Sequence, residues 1–467
     1  MSAQKFKIDL TEGSIFKKMI LFTVPLICSS LLQLLFNTAD IVVVGWFAGD
    51  NALSAVGSNT PIIGLFTNIF VGLSVGANVL AARYFGAKQD GELKATVHTA
   101  ISISVISGVF LAVIGFLLAK PILVLMKTPD EILPLAILYL RIYFLGMPAM
   151  MVYNFGSALL RAAGDTRRPF VFLLIAGIVN VCLNLFFVIA CGMDVDGVAT
   201  ATVISQCISA SMIILCLVKE KSAFKVEIKQ LKIQKDKLFE IIRIGVPAGF
   251  QGMLFSISNI IIQSSVNGFG EIIVSGNTAA ANLEQYVFFI MNGFHQAVIS
   301  FVSQNYGAKK YKRIIGSLVT AELCVFVAGF VFGMLEVVFG GQLLKLYTQN
   351  PEAIAAGMTR LSMIAGTYAL CGVMDVMVGA LRGIGYSVIP MLVSVVGVCG
   401  LRILWIFTVF QIPEYHTTEV LYLSYPISWI VTFAVLLVCF IWAVKKVKLK
   451  FAADDMLPEK YNAEETI

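Results

Sequence analysis

Three polar side chains lie on one face of an otherwise apolar stretch near the start of the chain. Gln33, Asn37 and Asp40 are spaced i, i+4 and i+7, which places them on one side of an α-helix. Burying a carboxylate at bilayer depth costs about 2.5–3.5 kcal/mol on insertion scales, so such a residue is a candidate functional group. Asp40 is therefore the strongest candidate for binding a cation or a proton. Alternatively, Asp40 lies near the end of its helix and its carboxylate reaches interfacial water.

Neutral side chains with oxygen atoms recur in two later apolar stretches. Asn180 and Asn184 are spaced i, i+4, and so are Thr202 and Gln206. Amide and hydroxyl oxygens beside a carboxylate suit a hard monovalent cation such as Na⁺. The same groups also suit an interhelical hydrogen-bond network that holds no ion. The spacing by itself leaves both interpretations open and favours the network.

Two carboxylates mark the second half of the chain. Glu284 is followed closely by aromatic residues and by Met291, and such a group binds lipophilic organic cations through Coulomb attraction and cation–π contact. Alternatively, these aromatic residues face lipid. Asp375 and Arg382 are spaced i, i+7, and we expect them to pair along one helix. Further ionisable residues in or near apolar stretches have no assigned role, among them Glu322, Glu336, Arg141, Arg360 and Arg402.

The composition indicates which elements must position these residues. Of 467 residues, 58% are hydrophobic and 13% are charged, whereas soluble domains carry about 25% charged residues. This excludes a soluble globule, a disordered chain and a disulfide-stapled secreted module. Twelve nearly uncharged stretches reach the roughly 20 residues that cross a bilayer: 19–48, 52–82, 95–126, 132–160, 169–191, 197–218, 244–267, 272–303, 314–344, 353–381, 387–411 and 420–444. The fold is predicted to be an all-α integral membrane protein with twelve transmembrane helices.

The basic residues predict the orientation of these helices. Of 34 lysines and arginines, 28 lie at the termini or in the even-numbered connections. The opposite loops carry only Lys120, Lys127 and Lys345. By the positive-inside rule, both termini are expected in the cytoplasm.

The two halves of the chain form a repeat at an offset near 221 residues. Residues 161–169 align with 382–390, and residues 86–88 align with 307–309. Each half contains six stretches, so the repeats run in the same direction, related by an axis along the membrane normal. The expected divisions are a first lobe (1–218), a cytoplasmic connection (219–243), a second lobe (244–444) and a cytoplasmic tail (445–467). A cleft between two lobes that opens to one side at a time favours a transporter over a channel.

Catalytic motifs are absent from the sequence. The chain contains no P-loop, no HExxH and no nucleophile elbow, and its nine cysteines form no CxxC pair. We therefore expect a protein that is not an enzyme and binds no cofactor. Pro25 interrupts the hydrogen bonding of the first helix and is expected to act as a hinge there.

With these motifs, the chain resembles the bacterial MATE (multidrug and toxic compound extrusion) family. The resemblance rests on Leu160-Arg-Ala-Ala-Gly-Asp-Thr-Arg-Arg-Pro169, Ala201-Thr-Val-Ile-Ser-Gln206 and Ser303-Gln-Asn-Tyr-Gly-Ala-Lys309, and it covers nearly the whole chain. It implies a V-shaped bundle of twelve helices in the bacterial inner membrane. It also implies export of organic cations by Na⁺ or H⁺ antiport.

The resemblance also implies roles for single residues. Asp40 matches the essential acid of the family, and Asn180 and Thr202 match residues that join it around the metal ion in sodium-binding members. Asn184 stands where the family often has Asp, which leaves the coupling ion open. Glu284 and Asp375 are the candidates for an acid in the second lobe.

The resulting hypothesis is a multidrug antiporter with Na⁺ or H⁺ as its coupling ion. The residues expected to couple the ion are Asp40, Asn37, Asn180, Asn184 and Thr202. The residues expected to bind substrate are Glu284, Asp375, Gln33 and Met291. The expected partners are small organic cations and membrane lipids, with no nucleic acid, and the protein is expected to be a monomer. The alternative is a flippase for a lipid-linked sugar or polysaccharide precursor, which is less favoured because the predicted spans hold more acids than bases.

Overall fold

The computed structural model describes residues 7–456, without the side chains at positions 50, 61 and 454–456. Within that range the secondary structure is helical and contains no β-strand. The helices are α1 (Ile15–Phe47), α2 (Asp50–Gly86), α3 (Asp90–Leu125), α4 (Leu133–Leu145), α5 (Met147–Ala162), α6 (Arg167–Leu185), α7 (Val195–Val218), α8 (Lys235–Asn267), α9 (Glu271–Gly307), α10 (Tyr311–Leu344), α11 (Pro351–Met363), α12 (Tyr368–Ile384), α13 (Val388–Ser394), α14 (Leu401–Phe407) and α15 (Thr418–Met456).

These helices form the twelve predicted spans. Among the described residues, eleven helical segments are long and apolar enough to cross a bilayer, and α4 with α5 forms a twelfth across a bend of 46° at Gly146. A short 3-10 turn joins α11 to α12, and a π-helical segment, Val395–Gly400, joins α13 to α14. The last helix continues to Met456, beyond the predicted start of the tail at residue 445. Residues 457–467 of that tail lie outside the described residues.

The sequence repeat is visible in the backbone conformation. Residues with a positive φ angle form three pairs that are 221 positions apart: Gly49 (88°) and Gly270 (96°), Lys88 (57°) and Lys309 (53°), Gly164 (84°) and Gly385 (106°). The first pair precedes α2 and α9, and the last pair ends α5 and α12. Helices α1–α7 and α8–α15 are therefore two lobes with the same chain path, as the sequence predicts.

The two lobes contact each other through closely packed helix backbones. Gly72 of α2 lies against the backbone of Gly249 in α8, and Gly76 lies against the backbone carbonyl of Ile241. We call the end of the bundle that carries residue 7 and the connection 219–234 the basic face. The contacts between lobes lie in the half of α2 and α8 nearest the basic face, and the V-shaped bundle opens toward the opposite face.

The first helix of each lobe contacts both lobes. In α1, Ile27 packs against Gly293 of α9 in the second lobe, whereas Phe36 packs against Gly177 of α6 in its own lobe. Helix α8 likewise contacts both lobes. Its Gly249 packs on α2 of the first lobe, and its Leu254 carbonyl accepts a hydrogen bond from Cys399 of the second lobe. A movement between the lobes must therefore bend or tilt α1 and α8.

Residues 7–14, which we call the N-terminal strap, cross the basic face from one lobe to the other. The backbone N–H of Ile8 donates to the Gly164 carbonyl at 3.0 Å. The Leu10 carbonyl accepts from Asn305 Nδ2 at 3.2 Å and from Arg313 Nε at 3.1 Å. The strap therefore holds the two lobes together on this face.

Candidate functional site

A cavity of about 320 Å³ lies inside the first lobe. Helices α1, α4, α5, α6 and α7 contribute most of its lining. Five of the predicted site residues line it: Gln33, Asn37, Asp40, Asn180 and Thr202. The structure therefore brings together side chains from α1, α6 and α7 that are up to 169 positions apart in sequence.

Four side chains next to this cavity form a continuous hydrogen-bonded chain. Asn184 Nδ2 donates to Asp40 Oδ1, and it also lies 3.5 Å from Asn180 Oδ1. Asn180 Nδ2 in turn donates to Thr202 Oγ1 at 3.5 Å. We call Asp40, Asn180, Asn184 and Thr202 the Asp40 cluster. These contacts join three helices and end on a carboxylate, and they fit both an ion site and a hydrogen-bond network.

The local helix packing explains how the cluster forms. Gly177, two turns before Asn184 on α6, has no side chain, so the ring of Phe36 on α1 approaches the α6 backbone. Asn184 is then carried against Asp40, just before α6 widens into the π-helical segment Phe186–Ala190. Single π-turns inside α-helices are common at functional sites.

The electrostatic character of this cavity is acidic. Asp40 is the one residue with a formal charge among the described residues that line it. Its carboxylate is half-buried and faces α6, seven residues before α1 ends at Phe47. A cavity with one acid and several neutral oxygen atoms suits a single positive charge.

A second cavity, of about 400 Å³, lies inside the second lobe. Its lining includes Glu284 of α9 and Asp375 of α12, the two acids that the sequence singled out. Two arginines, Arg360 and Arg402, line the same cavity. Of the described lining residues, these four carry the formal charges.

Glu284 is already paired within the protein. Arg360 donates to both oxygens of the Glu284 carboxylate, from Nε at 2.9 Å and from Nη2 at 2.7 Å. Arg360 Nη1 also donates to Asn277 Oδ1 at 2.8 Å, and Tyr422 Oη donates to the same oxygen at 3.1 Å. Such a bidentate pair leaves little net charge for a substrate. Glu284 therefore lines the cavity as one partner of an ion pair, and its role in binding substrate stays a prediction.

Two stretches of the chain match one known protein family. The MatE family model matches residues 25–186 and matches again at residues 247–408. The chain belongs to the MatE family. The two matches begin 222 residues apart, so each lobe is one copy of the family's unit. The MATE family comprises multidrug efflux transporters, and the chain is accordingly a multi-pass membrane protein of that family.

Individual relatives of the MATE family agree with this assignment. The chain is 28% identical over 448 residues to Probable multidrug resistance protein YoeA of Bacillus subtilis, which covers 94% of this chain and 96% of that protein. It is 23% identical over 382 residues to Multidrug export protein MepA of Staphylococcus aureus, covering 80% and 83%. A solved outward-facing structure of a multidrug resistance MATE transporter superposes with a TM-score of 0.85 at 21% identity, covering 94% of this chain and 97% of that one.

Within this MATE fold, two predicted substrate contacts lie elsewhere. Met291 is 1% exposed and packs against Gly329 of α10 and Gly372 of α12, so it belongs to the core rather than to the cavity. Gln33 lines the first-lobe cavity, so it lies in the other lobe from Glu284 and Asp375. The predicted substrate-binding residues therefore do not form one site.

The expected pair between Asp375 and Arg382 is not formed in this MATE chain. Arg382 Nη2 donates to Gln251 Oε1 of α8 at 2.8 Å, and its Nη1 lies 3.5 Å from His295 Nε2. These partners come from helices packed against α12, which the spacing along α12 does not reveal. Asp375 is left facing the second-lobe cavity.

Sequence reasoning did not find Arg360 as a functional residue. The signal was present, because an arginine inside an apolar stretch requires a buried acceptor. The acceptor, Glu284, is 76 positions away on another helix. No role was predicted for Glu322 and Glu336. In the described part of the chain, both carboxylate oxygens of Glu322 and the Oε2 atom of Glu336 are buried without a hydrogen-bond partner.

Proposed function

We propose that this protein is an antiporter that exports lipophilic organic cations across the bacterial inner membrane in exchange for inward Na⁺ or H⁺. The positive-inside rule predicts both termini in the cytoplasm, and we therefore propose that the basic face is the cytoplasmic one. The observation that supports this proposal is the Asp40 cluster, a carboxylate held by neutral donors beside an otherwise uncharged cavity. The coupling ion and the exported cation compete for that carboxylate.

The coupling ion and the exported cation can compete because Asp40 contacts both the hydrogen-bonded cluster and the cavity. One oxygen of its carboxylate accepts from Asn184, while the residue also lines the cavity. A lipophilic cation in the cavity is attracted by the free charge and by the surrounding Phe36, Tyr143 and Tyr153 rings. Arrival of Na⁺ or H⁺ neutralises Asp40 and removes the attraction. The exported cation is then released.

Movement between the two states uses the helices that contact both lobes. Asp40 lies in the part of α1 that packs on α6, whereas Pro25 lies in the part that packs near α9. A change of charge at Asp40 therefore acts on the same helix that joins the lobes. The proposed hinge at Pro25 allows the two parts of α1 to tilt separately.

The exchange is feasible against the membrane potential. Moving one positive charge outward against 100 mV costs about 2.3 kcal/mol, and one cation moving inward returns the same amount. Exchange of one monovalent substrate for one ion is thus neutral with respect to voltage. The concentration gradient of the ion then drives export.

The choice between Na⁺ and H⁺ depends on the oxygen atoms of the cluster. The Asn184 Oδ1 atom is buried and has no hydrogen-bond partner among the described residues, so it is available as a ligand. A Na⁺ site would use Asp40, Asn180, Asn184 and Thr202 as oxygen ligands. A protonation site would use the same side chains as hydrogen-bond support for Asp40.

Ethidium transport into inverted vesicles tests the proposal. Na⁺ and H⁺ gradients are imposed separately, and the initial rate is compared for the wild type, Asp40→Asn and Asp130→Asn. Asp130 lies in an exposed loop and provides a matched loss of one carboxylate. We expect one gradient to accelerate transport, Asp40→Asn to abolish the acceleration and Asp130→Asn to retain it.

Two results would contradict the proposal. Ion-driven transport that persists in Asp40→Asn would remove Asp40 from the mechanism. If neither gradient moves the dye, multidrug antiport fails, and the flippase alternative is tested next with a lipid-linked pyrophosphate.

A further inference from the structure

A third cavity, of about 580 Å³, lies at the basic face where the two lobes meet. Four of its described lining residues are basic: Arg83, Arg243, Lys446 and Lys450. The acid that lines it, Glu240, accepts a hydrogen bond from Tyr84 Oη at 3.4 Å and lies 4.0 Å from Lys237 Nζ. The charge of Glu240 is therefore shared with a cation outside the cavity, and the lining keeps an excess of positive charge. We call this space the basic cavity.

The two arginines of the basic cavity keep free donors. Arg243 is exposed and forms no hydrogen bond or ion pair with the described residues. Arg83 Nη2 donates to the Ile384 carbonyl at 3.1 Å, and its guanidinium lies 4.7 Å from the centre of the Tyr306 ring. Its Nε is nevertheless buried without a hydrogen-bond partner in the described part of the chain. An anion with several acceptor oxygens satisfies such donors.

The positive charge of Arg83 is not needed for the contact between the lobes. The residue 221 positions later is Gln304, which makes the corresponding contact in the other direction. Gln304 Nε2 donates to the Ala162 carbonyl at 2.7 Å, just as Arg83 donates to the Ile384 carbonyl. A neutral side chain thus makes this contact in one repeat. The charge in the other repeat needs a different explanation, and an anionic ligand supplies one.

The basic cavity lies at the edge of the membrane. Arg83 comes directly after the second predicted apolar stretch, and Arg243 comes directly before the seventh. Exposed apolar residues border these charges, since Ile242 is 38% exposed and Leu449, which lines the cavity, is 72% exposed. Lipid headgroups occupy this depth, and basic pockets between transmembrane helices bind acidic headgroups. The position therefore favours a lipid headgroup over a free phosphate ion.

We infer that the basic cavity binds the phosphodiester headgroup of an anionic phospholipid. The phosphate oxygens accept from Arg83 and Arg243, and Lys446 and Lys450 add Coulomb attraction. Arg83 belongs to the first lobe and the other three cations belong to the second, so a bound headgroup contacts both lobes. Its binding stabilises the contact of the lobes on the basic face. The inference goes beyond the proposed antiport, because it assigns a ligand that is not transported.

Lipid binding to the purified protein tests this inference. Native mass spectrometry measures the binding of phosphatidylglycerol and of phosphatidylcholine with the same acyl chains, which share the phosphodiester but differ in net charge. The variants are Arg83→Gln, which introduces the side chain that the other repeat uses at this position, and Arg243→Gln. The matched control is Arg167→Gln, because Arg167 is exposed at the start of α6 and lines none of the three cavities.

A second measurement separates the two sources of a phosphate group. Thermal unfolding is recorded in inorganic phosphate and in chloride of equal ionic strength. If the ligand is a lipid headgroup, the free ion lacks the acyl chains that hold it at the cavity. We therefore expect the unfolding temperature to be the same in both salts.

The expected binding is selective for the anionic lipid. Phosphatidylglycerol binds more tightly than phosphatidylcholine, whose choline group is repelled by the basic lining. Arg83→Gln and Arg243→Gln each weaken phosphatidylglycerol binding by on the order of fivefold, the contribution of one basic residue beside an anionic lipid. Arg167→Gln retains the binding of the wild type.

Three outcomes overturn the inference in whole or in part. Equal binding of the two lipids, or binding of phosphatidylglycerol that Arg243→Gln leaves unchanged, would overturn it. Stabilisation by inorganic phosphate that is lost in Arg243→Gln would keep a phosphate site but reject the lipid as its ligand. Arg243→Gln decides the test if Arg83→Gln does not fold, because Arg243 has no partner to lose among the described residues. No transport is measured, so failure of antiport leaves these results unaffected.

Discussion

Gly86 and Gly307 occupy the same position in the two repeats, and each lies against the backbone carbonyl three residues before the other. A methyl group on Gly86 would overlap the Gln304 carbonyl, and one on Gly307 would overlap the Arg83 carbonyl. The contact is reciprocal, so the pseudo-twofold axis of the bundle passes between the ends of α2 and α9. The lobes meet there by backbone contact and also through two long side chains, since Arg83 Nη2 donates to the Ile384 carbonyl at 3.1 Å and Gln304 Nε2 donates to the Ala162 carbonyl at 2.7 Å.

Substitution of Gly86 tests this contact. We expect Gly86→Ala to lower the free energy of unfolding by about 1–3 kcal/mol, because the added methyl meets backbone that cannot give way. Thermal unfolding in detergent measures the change. Gly57→Ala is the control on the same helix, since nothing lies within 4 Å of its added Cβ. Equal stability of the two variants would mean that the lobes do not approach this closely.

Substitution of Asn184 tests the choice of coupling ion. Asn184→Asp places a second carboxylate beside Asp40, and two adjacent carboxylates attract a cation more strongly. We expect the Na⁺ concentration for half-maximal ethidium transport to fall by on the order of tenfold. Asn37→Asp, on the cavity wall but outside the hydrogen-bonded chain, is the comparison variant. An unchanged Na⁺ requirement would argue against Asn184 as an ion ligand.

Separation of the buried pair in the second lobe is expected to be costly. Arg360→Gln leaves the Glu284 carboxylate buried without its cation, and we expect a loss of about 3–5 kcal/mol in stability. The double variant Glu284→Gln/Arg360→Gln removes both charges and is expected to be more stable than Arg360→Gln alone. Thermal unfolding of the single and double variants measures the coupling. Additive effects would show that the two side chains do not interact.

The stability at low pH is predicted to depend on Glu220, in the connection beyond α7. Burial raises the pKa of Glu220, but the hydrogen bond and charge of Lys7, together with the charge of Arg168, outweigh it and hold the pKa below the ordinary 4.5. A depressed pKa contributes stability that is present above the unfolded-state pKa and is lost as the pH falls through the folded-state pKa.

We therefore expect Glu220→Gln to be less stable than the wild type near neutral pH, with the difference shrinking as the pH falls below 4.5. Thermal unfolding across this pH range measures it. The control is Glu131→Gln, because Glu131 is exposed in a loop. A difference between Glu220→Gln and the wild type that stays constant with pH would contradict the prediction.

The twelve spans and the polar face of each stretch were predictable because their signals are local, whereas the gathering of the Asp40 cluster across three helices was implied by the resemblance to the MATE family. Asn180 and Asn184 lie one turn apart, and Gln33, Asn37 and Asp40 follow one helix face, so the pattern within each stretch already shows which face is polar. The repeat was also predictable, since aligned motifs near one offset require nothing beyond the sequence.

The second-lobe site was predicted less well because its pairs join distant helices. The partner of Glu284 is on α11 and that of Arg382 is on α8, and no spacing along one helix indicates either. Met291 shows the same limit. It lies two turns from Glu284 on the same side of α9, but α10 and α12 cover that part of α9 and bury Met291 against Gly329 and Gly372. Side-chain pairing between helices depends on how each helix is rotated about its own axis. A helix that is apolar on all sides has no sequence periodicity that defines this rotation.

The residues that pack the two repeats against each other, which we call the joint, are distinct from the residues that line the cavities. Gly72, Gly86 and Gly307 form the joint, while Asp40 and Arg402 belong to cavities away from it. After a gene duplication, each copy can therefore acquire its own cargo preference by substitutions that leave the joint intact. The interface between the repeats is thus common to both halves, whereas the residues that line each cavity can vary independently.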